Sequence, residues 1–540
     1  MTMQYKIFVP LILAFFALPF AGKSQKDLPA EQVEVLKQFE ATLLDTKKQT
    51  TAGTLPKEDR STNKLTYTLP TKNLEIQQPA PKIRPLGMKK DKLPEPYKGY
   101  VKAGYGIPAS PYAEFGYHLA GEPFRMNIHA KHHAANFKNL ENQKFAKSFA
   151  EIDTKYSTES NIGFSTALSY DRHKVHFYGY DHADTTFAED VVKQVFSNFG
   201  VKLGIANEDR LSGDIDYRVT GDVYFFNDNY ASKEQGFDLG LGGTKWIGGK
   251  HPIKLDVHTD FTKFKDTVTQ NLNNIYFMPS FTYHGDAFAL KVGANIVSYK
   301  DEFTVFPDLE LSVNVIGSSL TAFAGWTGNL QKNTFKSMTT YNPFLTSNPT
   351  LRNTSYTKYF GGIRGSFRGA EYSAQLGYKN AKDLALYLND TITDNKRFAV
   401  LYDTVNIFYI EGSTKFSLFK GFDIIGTLSQ SVYSPKNEKK AWHLPALESN
   451  ITGIYRLPEQ KIKVKGELYI ANGAPYKKLD DRSIDNLGAL LDLSFGAEYG
   501  ITDRIGIFLD INNMLNNKRQ RWNGYKVYGL NVLGGIMAKF

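Results

Sequence analysis

The chain contains no cysteine. That excludes disulfides, a thiolate metal site and a lipid anchor attached through a cysteine thiol. Long apolar runs are also scarce. The one that stands out in 540 residues is Ile7 to Phe20, IFVPLILAFFALPF, and a helix that crosses a bilayer needs about 20 consecutive apolar residues. A helical membrane protein is therefore excluded, in keeping with a mean hydropathy of −0.37. Aromatic residues are what the chain has in excess: 14% of the total, with 32 Tyr and 38 Phe. A polar average combined with many aromatics suits a membrane-spanning β-barrel, which turns few residues to lipid, many to a polar interior, and sets Tyr, Phe and Trp at both interfaces. The formal charge of +10 is accommodated by solvated loops and a mixed-sign interior. No nucleic-acid partner is expected.

The apolar run follows Lys6 and gives way to small residues, Ala21, Gly22 and Ser24. This order reads as a secretory signal peptide over residues 1–24, cleaved after Ser24, with Ala21 as the alternative. Residues 25–97 differ in kind. Val33, Leu36, Phe39 and Leu43 have helical spacing, so a short amphipathic helix is expected near 28–46. Pro56, Pro70, Pro79, Pro81, Pro85, Pro94 and Pro96 then impose an extended course. Within it, Leu65 to Pro70 could supply one strand. The segment is expected to be periplasmic or lumenal and to be available to other envelope proteins.

From 98 to 540 the pattern is alternation with period two, as in a strand with lipid on one face and polar surroundings on the other. Ile253, Leu255, Val257 and Phe261 stand against Lys254, Asp256, His258 and Asp260; Ile462, Val464, Leu468 and Ile470 stand against Lys463, Lys465 and Glu467. The charged members of both series are the candidate lumen-lining residues. The chain ends on Val532, Ile536 and Phe540 along one strand face, the expected membrane-insertion signature, with the terminal aromatic at the membrane edge.

Barrels of this kind alternate short periplasmic turns with longer outer loops. Short turns are expected at 120–122, 171–172, 208–212, 248–250, 285–286, 317–318, 368–369, 420–421, 458–459 and 502–503. Long connections are expected at 135–155, 182–193, 331–353, 435–444, 472–486 and 514–524, and short outer ones at 107–110 and 300–301. The scheme gives an all-β, transmembrane antiparallel barrel of about 22 strands, with both termini on the periplasmic side. A barrel that wide leaves a lumen that must be filled or plugged.

The stretch from Asn512 and Asn513 to Arg521, Trp522, Gly524 and Tyr525, followed by LNVLGGIMAKF, resembles the final hairpin of TonB-dependent receptors, in particular the short forms of the Bacteroidetes group. Lys526 stands where that family's pattern has proline. The resemblance implies an outer-membrane barrel and solute transport. It also implies a plug domain, for which residues 25–97 are too short and too rich in Pro and Lys.

Other chemistry is less marked. His129, His132 and His133 with Glu151 or Asp153 could in principle hold a metal, but period two sends His132 to the opposite face from the other two, so interfacial or lumenal histidines are expected. His182 and Asp184 share an outer loop, and two residues separated by one make a weak signal. Gly240, Gly242 and Gly243 precede a strand rather than a helix, which argues against a phosphate loop. We expect no cofactor, no metal and no enzyme. The expected function is solute transport across the outer membrane; the alternatives are a non-transporting scaffold or accessory subunit of an envelope complex and, behind it, a barrel hydrolase. The expected partners are outer-membrane lipid, lipopolysaccharide and the barrel assembly machinery.

Overall fold

A computed structural model describes residues 97–540 except 138, 139, 212, 300, 301, 393 and 394. The expected signal peptide, the helix near 28–46, the extended segment after it and the turn at 300–301 lie outside the described residues.

Twenty-two antiparallel strands form one sheet, each paired with its neighbours in sequence, and the sheet closes on itself. The first strand, Gly99–Ile107, pairs with the last, Asn531–Lys539, from Tyr100 opposite Lys539 to Ile107 opposite Val532. Gly99 and Phe540 then exchange both backbone hydrogen bonds at 2.9 Å. Closure leaves no strand edge to be satisfied from outside.

Alternation decides which face each residue takes, and register carries the choice round the barrel. Ile205 lies opposite Val219, Val219 opposite Leu241, Leu241 opposite Val257 and Val257 opposite Phe277. A second run joins Phe281, Val292, Leu309, Trp326, Tyr359, Tyr378, Phe408 and Val432 in the same way. Most of these side chains are exposed on the outer face. So continuous an apolar belt suits bilayer hydrocarbon and would be an aggregation hazard in water.

The inner face is ionic. Lys202 pairs with Asp222, Arg218 with Asp256 at 3.1 Å, Arg364 with Glu310 at 3.2 Å, Arg456 with Asp423 at 2.6 Å, and Lys102 and Lys463 share Glu498 at 2.8 and 3.4 Å. Opposite signs on neighbouring and nearby strands tie the wall together from inside.

At the seam, Gly104 lies opposite Gly535. The ring of Phe508 crosses both: a Cβ on either would come within 2.9 Å of it. Two glycines leave room for the aromatic to cover backbone that would otherwise face an open lumen. Phe540, half-exposed, stacks 6.4 Å from Phe115 and from Tyr117 across the closed seam. Its ring also fills the space that a Cβ on Gly99 would need. Phe540→Ser is expected to lower assembly into the membrane; unchanged heat-modifiable migration on a gel would contradict this.

All connections after even-numbered strands are short and gather at one end, as at Gly248–Lys250 and Arg368–Gly369. Two expectations are corrected. Asp171 and Arg172 are not a turn; they lie inside the strand Ile162–His176, and the turn is at 158–161. This strand runs beyond the apolar belt, so its upper part is polar on both faces, and that polarity marks height rather than reversal. Asp171 accepts from Asn198 at 2.8 Å, across the strand pair. The long loop expected over 135–155 is instead a short connection, 137–143, followed by the strand Lys144–Ser157. Ala146, Ser148 and Ala150 on that strand's outer face are too small to announce the alternation.

Candidate functional site

The connections at the other end turn inward. Between the strands Leu320–Gln331 and Thr354–Phe367, the chain forms a short helix, Phe335–Tyr341, capped by Thr334, whose hydroxyl accepts from the backbone N–H of Ser337 while the Ser337 hydroxyl bonds back to the N–H of Thr334. This is a reciprocal capping box. Phe335 is fully buried against Phe264, Phe226 and Phe196, at centroid distances of 5.1, 5.6 and 6.1 Å. Those three phenylalanines belong to the inner faces of separate wall strands, so the helix sits within the mouth of the barrel.

One carboxylate fastens it. Glu234, fully buried on the strand Lys233–Ile247, accepts from the N–H groups of Phe335 at 2.6 Å and Lys336 at 3.2 Å, and from the Tyr224 hydroxyl at 3.0 Å. Lys332 reaches Asp260. Replacing Glu234 by Ala would strand three donors, at about 1–3 kcal/mol for each buried donor left without an acceptor. The expected result is protease cleavage within 332–353 while the barrel stays folded; an unchanged digest would show that Glu234 does not hold the helix.

A second inward element is the longest hairpin, Ala370–Asn389 with Phe398–Phe419. Its register slips between Ala381 and Leu384, where Asp383 takes a left-handed φ of 54°. A bulge bends and re-aims a strand, and beyond this one Leu386, Tyr387 and Phe398 are buried in the mouth. Residues 344–346 add to the hairpin: Phe398 donates to the Phe344 carbonyl and Thr346 donates to the Phe398 carbonyl, both at 2.9 Å.

The final connection, 513–530, is the third. Trp522 and Tyr525 enter the same core. Tyr525 stacks on Phe344 with centroids 3.6 Å apart and meets Tyr178 edge-on at 4.9 Å. Gly524, at φ +88°, passes so close to Gly179 that a Cβ would lie 2.8 Å from the Gly179 carbonyl oxygen. Trp522 meets Tyr341, Tyr387, Phe398 and His443, all between 5.4 and 5.5 Å. The Tyr178 hydroxyl donates to the Lys526 carbonyl at 2.9 Å, and the side chains of Asn389 and Asn523 bond at 2.9 Å. Connections from widely separated strands thus form one aromatic core across the mouth.

The residues singled out in the sequence fall into separate groups. Of the hairpin set, Arg521, Trp522, Gly524 and Tyr525 belong to this closure. Asn513 organises its base, donating to the carbonyls of Asn517 at 2.8 Å and Tyr528 at 2.7 Å, and Asn512 donates to the Asn531 side chain at 2.9 Å. Lys254, Asp256, His258 and Asp260 share the face opposite Ile253, Leu255 and Val257; Asp256 meets Arg218, and His258 lies 3.7 Å from Asp238. Lys463 meets Glu498, and Lys465 meets Glu467 at 2.6 Å. Val532 and Ile536 lie on the outer face with Ile107 and Ala103 opposite them.

The histidines disperse. His129 reaches Glu114 at 3.1 Å, His132 pairs with Ser148 at 2.9 Å and His133 with Ser110 at 3.1 Å. Among the described residues no group of three or more His, Cys, Asp or Glu could hold a metal ion. His182 bonds the Tyr178 carbonyl at 3.0 Å, and Gly240, Gly242 and Gly243 lie within a barrel strand. Sequence reading missed Glu234, Phe335, Phe398 and His443. Only the helix left a trace, in the spacing of Thr334 and Ser337.

A wall cavity of about 810 Å³ opens between the strands from Ser110–Leu119 to Lys233–Ile247, lined by Arg125, Asp153, Lys155, Lys202, Asp222 and Asp238 among others. Its charges are of both signs.

No protein-family model matches the chain, and no curated protein matches it. Solved structures do. The siderophore receptor PirA from Acinetobacter baumannii superposes with a TM-score of 0.61 at 9% identity, over 82% of this chain and 80% of that one. For the ferripyoverdine receptor of the outer membrane of Pseudomonas aeruginosa the values are 0.60 and 12%, over 82% and 72%. For a variant of the ferric enterobactin receptor PfeA from the same organism they are 0.59 and 10%, over 82% and 80%. At such identity the likeness is one of fold: the chain shares the closed barrel of outer-membrane siderophore receptors.

Proposed function

We propose that the chain is an outer-membrane transport barrel of the TonB-dependent receptor type whose mouth is closed by its own connections, the closure standing in for a folded plug. The observation that carries this reading is the aromatic core built by 177–192, 332–353, 513–530 and the bent tip of the longest hairpin. A lumen enclosed by about 22 strands is wide enough to breach a permeability barrier unless something occupies it. A purely architectural barrel could be sealed by wall-to-wall ion pairs; a packed, cross-linked mouth above a wide ionic lumen suits a passage that opens.

In this reading Lys254, Asp256, His258, Asp260, Lys463, Lys465 and Glu467 line the path, and paired charges of both signs favour polar solutes over one ionic class. The apolar belt faces outer-membrane lipid, the short turns face the periplasm with both chain ends, and residues 25–97 are available to envelope partners. Liposome swelling tests the proposal: vesicles carrying the full chain should stay osmotically tight, and vesicles carrying a chain with 335–341 replaced by a short Gly-Ser linker should admit small sugars. Equal tightness of both preparations, with the barrel folded in each, would refute transport through this mouth.

A further inference from the structure

We propose that His443 is a proton-sensitive latch of the mouth: protonation of its ring frees the tip of the longest hairpin from the final connection. The inference rests on the mouth being the closure.

His443 lies in the connection 436–446 and is fully buried. Its Nδ1 lies 2.7 Å from the Tyr387 carbonyl, on the bent tip of the hairpin, and Nε2 lies 3.3 Å from the backbone N–H of Asn523, in the final connection. A carbonyl can only accept and an amide N–H can only donate. The two partners therefore assign the neutral ring with its proton on Nδ1 and a lone pair on Nε2. One imidazole bonds two elements at once and fills the space between Phe398, edge-on at 5.0 Å, and Trp522, stacked at 5.5 Å.

A second proton would go to Nε2, where it would point at the Asn523 N–H. Among the described residues no carboxylate bonds to the ring to offset the charge. The final connection presents Arg521, a cation whose guanidinium lies 3.5 Å from the His443 carbonyl. The two hairpin strands present Tyr387 and Phe398, and the ribbon at 475–486 contributes the Pro475 carbonyl to the His443 N–H at 3.0 Å. The carboxylate on the same connection, Glu438, is held by the Trp442 indole N–H at 2.8 Å and by Lys477 at 3.8 Å. Burial accordingly pulls the His443 ring down to about 4, the Tyr387 bond opposes the drop, and Arg521 adds to it.

The sign follows. An opened mouth returns the ring to water, where it takes a proton below about pH 6.5. Between that point and about 4 the open form binds more protons than the closed one, so the closed mouth loses stability as pH falls through this window and loses nothing above it. The bulge at Lys382–Asp383 gives the released tip a place to bend.

Four tryptophans are present. Trp246 and Trp326 lie on wall strands, and Trp442 and Trp522 are buried at the mouth. The full chain carrying Trp246→Phe and Trp326→Phe reports on the mouth alone. Acrylamide quenching of this protein is expected to rise several-fold between about pH 7.5 and about pH 4.5, and to reverse on return. His443 takes a left-handed φ of 58°, a conformation that Asn tolerates; His443→Asn can still donate to Tyr387 and does not titrate, so it should abolish the rise. Arg521→Gln removes the neighbouring cation, so the closed mouth tolerates the protonated ring better; the rise should shrink and its midpoint move to lower pH, which keeps the test open if the first variant does not fold. Quenching that stays flat in the parent protein while heat-modifiable migration shows an intact barrel would overturn the latch, as would an unaltered acid response in His443→Asn. Fluorescence reads the opening without reference to current, so acid opening without conductance would support the latch and count against transport.

Discussion

Trp522→Ala is expected to leave a folded barrel with a loosened mouth. The indole is 4% exposed and touches rings from the helical connection, both strands of the bent hairpin and the connection holding His443. Removing a buried aromatic of this size costs about 3–5 kcal/mol. Here the loss falls on contacts between connections, since the wall is secured by its own hydrogen-bond ladder and by cross-strand ion pairs. Protease sites within 332–353, 390–397 and 513–530 should therefore become accessible together, while heat-modifiable migration stays as in the parent. Cleavage confined to one connection would mean that the three do not share a core.

Gly535→Val should have the larger effect, on assembly itself. A Cβ there would meet the Phe508 ring at 2.6 Å and Gly104 Cα at 2.7 Å, and the Ala103 carbonyl oxygen more closely still. Two of these three obstacles are backbone of the opposing strand, so rotamer changes cannot relieve them. The first and last strands would have to separate where the sheet closes, exposing unpaired N–H and C=O groups in lipid at several kcal/mol each. We expect loss of folded barrel from the membrane fraction. Gly535→Ala together with Phe508→Ala should recover part of it, because the ring is one of the clashes; wild-type amounts of folded Gly535→Val would show that the seam tolerates displacement.

These two sites show why the fold was more legible than the closure. Barrel, strand number and most turns follow from a period-two pattern repeated along the chain, such as Ile253 to Phe261 against Lys254 to Asp260, with Gly or a polar pair at most reversals. The pattern fails where side chains are small, as at Ala146 and Ala150, and where a strand climbs past the apolar belt, as at Asp171 and Arg172. The mouth has no comparable signature. Phe335, Phe398 and Trp522 are far apart in sequence, and only closure of the sheet brings them together. Glu234 reads as one more inward polar residue until the helix it caps is seen above it. The final hairpin is an intermediate case: its Arg-Trp and Gly-Tyr pairs could be picked out by resemblance, but their placement in a closure could not.

In the proposed function the connections close the lumen without help from the rest of the chain. Planar-bilayer recording of the barrel lacking residues 25–96, with heat-modifiable migration confirming that it is folded, tests this most directly. Intact connections should give no steady open level, and Trp522→Ala in the same background should give one. A large, steady conductance from the truncated barrel with its connections unaltered would show that the connections do not seal the lumen.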